Sequence, residues 1–440
     1  MNVVFIVLDT LRSDRLSIYN EEIDFTDNIE EFAEKSLVYD NAMAQAPWTL
    51  PSHASMFTGE YPWEHNATQK NLFLTTDKTT LAEKFTEAGY STASYTANTW
   101  VSPYTGITKG FEDTDNMFGW IDNNFISDKA SKLWIWANQG RTKKITETIV
   151  DLGEYLQWGT DRGKISKTPE TLDKAEEFIE SNEEDDFFLF MNLLDAHLPY
   201  YPPEDYREKH ASNVEPSEVC QRAHEHNADL VNADFESIRK LYDAEADYLD
   251  DQLGRFFDYM EEQGLIEDTV FVIASDHGEN LGEDDMYGHQ FSVSEEVVNI
   301  PLLIRAPGVE SGRVETPFEL RELYNVIPRL TEIEDAEADL SGVKYALGGY
   351  EYPVMELKNV PEDKQDLGKQ LRFVRSEKKK LIKEGQEDAY YRMIDLEENE
   401  EIDVKEQFRQ KIDRIGEASQ GDTDIDDEQV KDRLEDLGYM

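Results

Sequence analysis

Five side chains in this sequence have the chemistry needed to hold a divalent cation. Asp9 follows one apolar run, and the neighbouring Asp276 and His277 follow another. Thr49 and His53 lie one helical turn apart in the segment APWTLPSHASMFTGEYP, so they share a face if that segment is helical. Two carboxylates, an imidazole and a hydroxyl oxygen are a suitable ligand set for a divalent cation. The residue types therefore predict a cation site among these five positions.

The segment around Thr49 also predicts a helix whose first turn can bind an anion. Thr49 stands where a helix N-cap is expected, Pro51 falls in the first turn, and Gly59 is placed to close the helix. The Thr49 hydroxyl would then lie beside free backbone N–H groups and the positive end of the helix dipole. A lone Thr-x-Pro is more often an ordinary cap, so the functional interpretation depends on the neighbouring candidates.

Three continuous apolar runs are typical of strands buried on both faces of a sheet. They span residues 3–8, 187–194 and 269–275, and the acids that follow them are Asp9, Asp195 and Asp276. In open α/β sheets the ligand site lies beyond the carboxyl ends of the strands. We therefore expect these acids to meet in one crevice.

The order of the predicted elements indicates an α/β fold with a C-terminal addition. Strands and amphipathic helices alternate along most of the chain, which predicts a mainly parallel sheet covered by helices on both faces. After an acidic connector, short runs with a period of two suggest a small antiparallel sheet that ends in an acidic helical tail from about residue 403. We predict a catalytic domain at residues 1–330 and a small α+β subdomain at 331–440.

The composition describes a folded protein with an acidic surface. The 440 residues include 95 Asp and Glu against 43 Lys and Arg, a formal charge of −52, and 39% are hydrophobic. Such a charge argues against nucleic acids and anionic membranes as partners, because both carry negative charge themselves. The acids are spread along the whole chain, which resembles the proteins of salt-loving microbes, where salt screens the self-repulsion.

Cysteine content and hydropathy bear on the compartment. Cys220 is the only cysteine, so no internal disulfide can form, and a cytoplasmic location is the simplest interpretation. The first apolar run is too short for a signal peptide, and no segment approaches the roughly 20 apolar residues that span a bilayer. We expect no stable membrane insertion.

Two further segments carry weaker signals. Residues 119–167 gather lysines and arginines around Trp134 and Trp136, which favours an amphipathic helix packed on the main domain over a cap at a substrate entrance. Cys220, His224 and His226 lack an evident fourth zinc ligand, so a surface insertion is the preferred interpretation there.

Five sequence blocks follow one another in a specific order. They are VVFIVLDTLRSDRL, APWTLPSHASMFTGEYP, LDAHLPY, SDHGENLGE followed by MYGHQFSVSEEVVNIPLLIRAPG, and LRFVRSEKKKLIKEGQEDAYYRMIDLEENEE. In this order they resemble the sulfatase family of the alkaline-phosphatase-like superfamily. The resemblance implies a large, mainly parallel sheet flanked by helices on both faces, with a small C-terminal antiparallel sheet.

The same resemblance implies roles for the candidate residues. Asp9, Asp276 and His277 would bind one divalent metal ion, Ca²⁺, Mg²⁺ or Mn²⁺, and the Thr49 oxygen at the nucleophile position would reach it too. The metal would bind the ester oxygens and lower the pKa of the Thr49 hydroxyl.

Three histidines complete the predicted catalytic set. His197 and His289 match family positions that contact the ester group or the leaving oxygen, and a histidine there can protonate the leaving alkoxide. His53 takes the place of the arginine in the family's Cys-x-Pro-x-Arg pattern. With Thr49, these are the predicted catalytic residues.

Departures from the family pattern limit what the resemblance implies. Sulfatases place Cys or Ser at the nucleophile position and oxidise it to formylglycine, but threonine cannot give that aldehyde, so no formylglycine is expected. The usual second aspartate after Asp9 is Thr10, and SYTANTWVS lacks the Lys-Trp-His element. A second metal would need Asp195, His197 and His289 to converge, and Asp-x-His is not the usual spacing in the superfamily relatives that hold two metals, so we expect a single metal ion.

Three functions are compatible with these features. The first is a sulfatase-family, metal-dependent hydrolase of a sulfate or phosphate ester. The second is a phosphodiester or phosphonate hydrolase, or a phosphotransferase, that acts through phospho-Thr49. The third is a pseudo-enzyme that keeps the metal and anion pocket for binding. In the first two cases the substrate is a small anionic ester, such as a sulfated or phosphorylated sugar or lipid head group.

Overall fold

The computed structural model describes residues 1–103, 105–116, 166–219, 234–351, 353, 368–385, 389–398 and 400–413. Most of the basic segment 119–167, the positions Cys220, His224 and His226, and the tail after residue 413 lie outside the described residues. The predictions made for them are therefore not tested by the fold.

An eight-stranded sheet forms the centre of the molecule. In order across the sheet its strands are β12 (Gly312–Val314), β2 (Leu37–Tyr39), β11 (Leu302–Arg305), β7 (Thr269–Ala274), β1 (Asn2–Leu8), β6 (Phe187–Leu193), β4 (Ser91–Thr96) and β5 (Asp113–Asn116). The pairs from β7 to β5 are all parallel, and β11 is antiparallel to both of its neighbours. The predicted mainly parallel sheet is confirmed, and the three apolar runs form its adjacent strands β7, β1 and β6.

Ten α-helices lie in the described part of the chain. They are α1 (Asp27–Ala33), α2 (Thr49–Thr58), α3 (Pro62–His65), α4 (Leu81–Glu87), α5 (Thr168–Ser181), α6 (Glu204–Ala211), α7 (Phe235–Glu262), α8 (Glu295–Val298), α9 (Leu323–Leu330) and α10 (Glu406–Asp413). Along β1, successive side chains alternate between two separate cores, because a strand presents its residues to opposite faces in turn. One core includes side chains of α1, α5 and α7, and the other includes side chains of α2, α4 and α9. Helices therefore cover both faces of the sheet, as predicted.

Three smaller sheets complete the fold. The predicted C-terminal antiparallel sheet is present with five strands, β14 (Ala346–Tyr350), β15 (Leu371–Arg375), β16 (Lys379–Glu384), β17 (Tyr390–Asp395) and β18 (Glu400–Ile402). The others join β10 (Asn299–Ile300), β3 (Ala42–Met43) and β13 (Phe318–Glu319), and β8 (Asn280–Leu281) with β9 (Tyr287–Gly288). The division into domains at residue 330 stays a prediction.

An ion-pair network with two buried basic side chains joins the C-terminal sheet to α8. Glu295, at the start of α8, accepts hydrogen bonds from Lys380 at 2.7 Å and from Arg375 at 3.2 Å. Lys380 is almost completely buried, so its charge depends on this partner. The network fixes α8, the helix whose Val297 carbonyl accepts from the Gly278 N–H at 2.8 Å, next to His277.

In the described ranges we find no helix that combines the length and the apolarity needed to cross a membrane.

Candidate active site

The register of the central strands explains why two of the three acids meet. Val7 of β1 pairs with Ala274 of β7, so Asp9 and Asp276 reach the same level beyond the sheet edge. Both aspartates are fully buried. The backbone N–H of Thr10 donates to Asp276 Oδ1 at 3.2 Å and helps to hold that carboxylate. Two acids that are far apart in sequence are therefore neighbours in the fold.

Asp9, Asp276 and His277 together fit a divalent cation. One ligand atom from each lies within 4.8 Å of the others, and all three residues are buried. Asp9 Oδ1, Asp276 Oδ2 and His277 Nε2 have no hydrogen-bond partner, although buried polar atoms are normally paired. His277 Nδ1 lies 3.0 Å from the Gly278 carbonyl oxygen and donates to it, which leaves the Nε2 lone pair free for a metal. The unpaired atoms are the kind of donors that a divalent metal requires.

The electrostatics of this group also point to a missing positive charge. Burial and the nearby Asp9 raise the pKa of Asp276 well above its ordinary value. Burial and the neighbouring histidines, first His289, lower the pKa of His277. Among the described residues, no lysine or arginine forms an ion pair with either aspartate. A bound cation would stabilise both carboxylates and the neutral imidazole together.

Helix α2 carries Thr49 to the edge of this group. Thr49 is the first helical residue and Trp48 is the N-cap, so the predicted N-cap role of Thr49 was wrong by one position. Trp48 is extended, with φ −161° and ψ 161°, and the helical turn starts only after it. Gly59 ends the helix in the left-handed conformation with φ 70°, as predicted. The Ser52 hydroxyl donates to the Asp276 carbonyl at 2.7 Å and ties α2 to the end of β7.

Asn98 connects the Thr49 hydroxyl to the metal-binding group. Its Nδ2 donates to Asp9 Oδ2 at 2.7 Å and lies 3.5 Å from Thr49 Oγ1. Asn192 Nδ2 lies 3.2 Å from the same Asp9 oxygen. Since Oδ2 of Asp9 receives both amides, Oδ1 remains the free oxygen of that carboxylate.

His53 lies inside the group but does not replace the charge of an arginine. Its Nδ1 is 2.9 Å from the Thr49 carbonyl oxygen and 3.6 Å from Asp276 Oδ2. Complete burial lowers the pKa of His53 to about 4, so the ring is neutral near pH 7. Its Nε2 has no hydrogen-bond partner. His53 is therefore a neutral group with a free Nε2 lone pair, and it does not pair with an anion as an arginine would.

His289 lies next to His277, and His197 lies next to His289. The ring of His289 has its centroid 4.3 Å from that of His277 and 5.9 Å from that of His197. His289 Nδ1 is 2.9 Å from Glu279 Oε1. The structure thus brings Thr49, His53, His197 and His289 together with the three candidate ligands, and their catalytic roles stay predictions.

Asp195 does not join the other two acids, contrary to the expectation from sequence. Leu8 of β1 pairs with Leu193 of β6, so Asp195 lies one residue beyond the level of Asp9. A one-residue step turns a side chain toward the opposite face. Asp195 instead accepts a hydrogen bond from the Thr168 hydroxyl, and burial raises the pKa of its carboxyl group. It therefore does not converge with His197 and His289.

Three polar residues of the site were missed in the sequence: Asn98, Asn192 and Glu279. Asn192 interrupts the apolar run FFLFMNLL, and an amide in a fully buried strand was a usable signal. Asn98 comes two residues after β4, the strand next to β6, so topology would have indicated it. Glu279 lies within the block SDHGENLGE, and its contact with His289 depends on a loop that sequence patterns do not position.

A family model described as Sulfatase matches residues 1–332, which is most of the chain. This chain belongs to the sulfatase family. The identification made from the ordered sequence blocks is confirmed, and with it the assignment to a family of ester hydrolases.

Individual sulfatases and related hydrolases show the extent of the similarity. An uncharacterised sulfatase of Escherichia coli (strain K12) is 25% identical over 373 residues, which cover 76% of this chain and 69% of that protein. The phosphonate monoester hydrolase from Silicibacter pomeroyi has 17% identity and a TM-score of 0.67, with 100% of this chain and 96% of that chain covered. A structure in complex with its substrate D-glucosamine-2-N,6-O-disulfate has 15% identity and a TM-score of 0.65, with 99% and 98% covered. The two solved structures confirm the alkaline-phosphatase-like fold.

Proposed function

We propose that this sulfatase-family protein hydrolyses a sulfate or phosphate ester with one divalent metal ion and Thr49 as the nucleophile. The observation that carries the proposal is the set of unpaired atoms on Asp9, Asp276 and His277 beside the first turn of α2. A protein that had lost the site altogether would gain nothing from leaving these buried groups unsatisfied. Their presence argues against full degeneracy of the site, and the activity assay below distinguishes an enzyme from a pseudo-enzyme that binds a metal.

The chain's own groups suit the first half of such a reaction. The metal, when bound, supplies positive charge that stabilises the ester oxygens and favours the alkoxide form of Thr49. The start of α2 presents backbone N–H groups that stabilise an anion in the same place. Thr49 Oγ1 forms a bond to sulfur or phosphorus while the bond to the leaving oxygen breaks. The neutral His53 offers its unpartnered Nε2 for the hydroxyl proton, and the imidazolium form of His289 donates its Nε2 proton to the leaving oxygen.

Threonine at the nucleophile position favours phosphorus esters as a second candidate. A threonine side chain cannot become formylglycine, so the intermediate must be released by direct attack of water. For phospho-Thr49, water attacks phosphorus, the bond to Thr49 Oγ1 breaks, and the hydroxyl is restored. The similarity to a phosphonate monoester hydrolase supports this candidate.

The related structure with a disulfated glucosamine supports a sugar ester as the substrate class. A phosphorylated sugar and a lipid head group are compatible with the same site. The net charge of −52 continues to argue against nucleic acid as a partner. The cytoplasmic location stays a prediction.

A panel of substrates and metals tests the proposal. The purified protein is assayed with aryl sulfate, aryl phosphate, bis-aryl phosphate and aryl phosphonate in the presence of Mn²⁺, Mg²⁺ or Ca²⁺. We expect turnover of at least one ester and higher kcat/KM with Mn²⁺ than with Ca²⁺, because the site offers an imidazole nitrogen and only two carboxylates. Absence of turnover under every condition, with the metal bound, would favour the pseudo-enzyme.

The acidic surface predicts a dependence on salt. The Debye length falls from about 10 Å at 0.1 M salt to about 3 Å at 1 M, which screens both self-repulsion and the repulsion of an anionic substrate. We expect kcat/KM to rise several-fold and the thermal unfolding midpoint to increase over this range of KCl. A steady fall in both quantities would show that the acidity is not an adaptation to brine.

A further inference from the structure

Glu279 is a buried carboxylate beside the site, and the proposed reaction gives it no role. It is only 2% exposed, and both of its carboxylate oxygens have partners. Oε1 lies 2.9 Å from His289 Nδ1, and Oε2 accepts a hydrogen bond from the Tyr200 hydroxyl at 2.6 Å. Two hydrogen bonds therefore link Tyr200 in the protein core, through Glu279, to His289, the histidine predicted to protonate the leaving oxygen.

The backbone around Glu279 is fixed as firmly as its side chain. Its carbonyl oxygen accepts from Arg12 Nη1 at 3.0 Å, and Arg12 is itself held by both oxygens of Asp14. The preceding Gly278 donates to the Val297 carbonyl of α8 at 2.8 Å. A Cβ atom at Gly278 would lie 2.0 Å from the Glu296 carbonyl oxygen, so only glycine permits this approach. The helix that the C-terminal sheet holds through Glu295 therefore also positions Glu279.

The Tyr200 hydroxyl restricts the remaining freedom of the carboxylate. Tyr200 is fully buried and packs edge-on against Tyr242, with ring centroids 5.5 Å apart. With a donor on each oxygen, the carboxylate of Glu279 cannot rotate without breaking a buried hydrogen bond. It thus offers a fixed acceptor to the imidazole ring.

A fixed acceptor at Nδ1 determines which nitrogen of His289 can exchange a proton with a substrate. The carboxylate accepts a hydrogen bond from Nδ1–H, and the opposite tautomer would place a lone pair against a negative charge. Nε2 is then the nitrogen left for the substrate. The ring lies 4.3 Å from that of His277, next to the candidate metal ligands.

We propose that Glu279 is a positioning residue that, with Tyr200 behind it, keeps His289 Nδ1–H in a hydrogen bond and Nε2 turned to the substrate, so that the doubly protonated ring gives its Nε2 proton to the leaving oxygen. The inference rests on the proposed function, because it assigns His289 the role of proton donor. The carboxylate does not touch the substrate, and no bond to Glu279 forms or breaks. Its effect is confined to the breaking of the bond to the leaving group.

The test compares Glu279→Gln, Tyr200→Phe and His289→Asn with two esters of the type the enzyme turns over, one with 4-nitrophenol and one with phenol as leaving group. Phenol is the poorer leaving group and depends more on protonation. For Glu279→Gln we expect kcat on the phenyl ester to fall about 10- to 100-fold, with a much smaller fall on the 4-nitrophenyl ester and little change in KM. Tyr200→Phe should show the same pattern with a smaller loss. The double variant Glu279→Gln with His289→Asn should be no slower than His289→Asn alone, because both changes act through the imidazole of residue 289.

Two measurements separate positioning from damage to the fold or the metal site. Calorimetric Mn²⁺ affinity should be unchanged in Glu279→Gln, since the three ligands remain. In metal-free protein, the downfield proton resonance of the His289 Nδ1–H group should disappear in both Glu279→Gln and His289→Asn. The control is Asp284→Asn, an exposed acid in the same loop whose left-handed φ of 53° asparagine tolerates; it should behave as wild type.

The outcomes distinguish the inference from the function on which it rests. If His289→Asn shows the leaving-group pattern and Glu279→Gln does not, the positioning role is wrong and the proposed function stands. An equal loss on both esters together with weaker Mn²⁺ binding would also overturn the positioning role. If His289→Asn leaves turnover of both esters unaffected, His289 is not the proton donor and the positioning role is wrong, whereas absence of turnover in the wild type would overturn the proposed function itself.

Discussion

Thr49→Val is expected to lower kcat by at least about 1,000-fold on every ester that the protein turns over. Valine keeps the shape of the side chain but has no oxygen to attack sulfur or phosphorus. Thr49 is only 3% exposed, and because valine has the same branched shape, the packing around the side chain should be largely kept. Steady-state kinetics with saturating Mn²⁺ give the comparison.

Two variants control for the loss of a hydroxyl group itself. Thr58→Val removes a buried hydroxyl from the same helix, where it donates to the Ala54 carbonyl at 2.6 Å and accepts from the Glu60 N–H at 3.2 Å, and should retain activity. Thr49→Ser keeps a hydroxyl oxygen at the site and should retain part of the wild-type activity. Full activity in Thr49→Val would remove Thr49 from the mechanism.

Asp276→Asn is expected to abolish metal binding along with activity. The substitution keeps the size of the side chain but removes one of the two charges that the cation neutralises. Its Oδ1 oxygen can still accept from Thr10, so the local fold should survive. We expect the affinity for Mn²⁺ to fall more than about 100-fold, beyond the typical effect of losing an outer hydrogen-bond partner of a metal site.

The readout is thermal unfolding with and without Mn²⁺. A metal at about 100 times its Kd stabilises the folded state by about 2.7 kcal/mol, so the unfolding midpoint of the wild type should rise on addition. That rise should be absent in Asp276→Asn. The matched control is Asp195→Asn, a buried acid after the neighbouring strand that accepts from Thr168 and lies outside the candidate ligand group. An undiminished metal response in Asp276→Asn would contradict the ligand assignment.

The large elements of the fold could be predicted because their signals are local. The runs that became β1, β6 and β7 are continuous and apolar, as strands buried on both faces must be. The short alternating runs after residue 370 likewise matched the C-terminal antiparallel sheet. In both cases the burial pattern can be recognised from consecutive residues, without knowledge of the tertiary structure.

The site was harder because it depends on register between strands. Asp9, Asp195 and Asp276 look equivalent in sequence. Only the register of β1 with β6 and β7 shows that Asp195 lies one residue beyond the level of the other two aspartates. The same holds for Asn98, whose distance from Asp9 is set by the packing of separate segments. The start of α2 was misplaced by one residue, since Trp48 has no side-chain signal of a cap.

The most direct test of the account is to trap the covalent intermediate. The protein is mixed with an aryl phosphate or aryl sulfate ester and Mn²⁺, quenched with acid on the millisecond scale, and digested for mass spectrometry. The account predicts a peptide carrying the transferred phosphoryl or sulfuryl group on Thr49, which is absent in Thr49→Val. Turnover with the group on another residue, or with no adduct in any early sample, would contradict it.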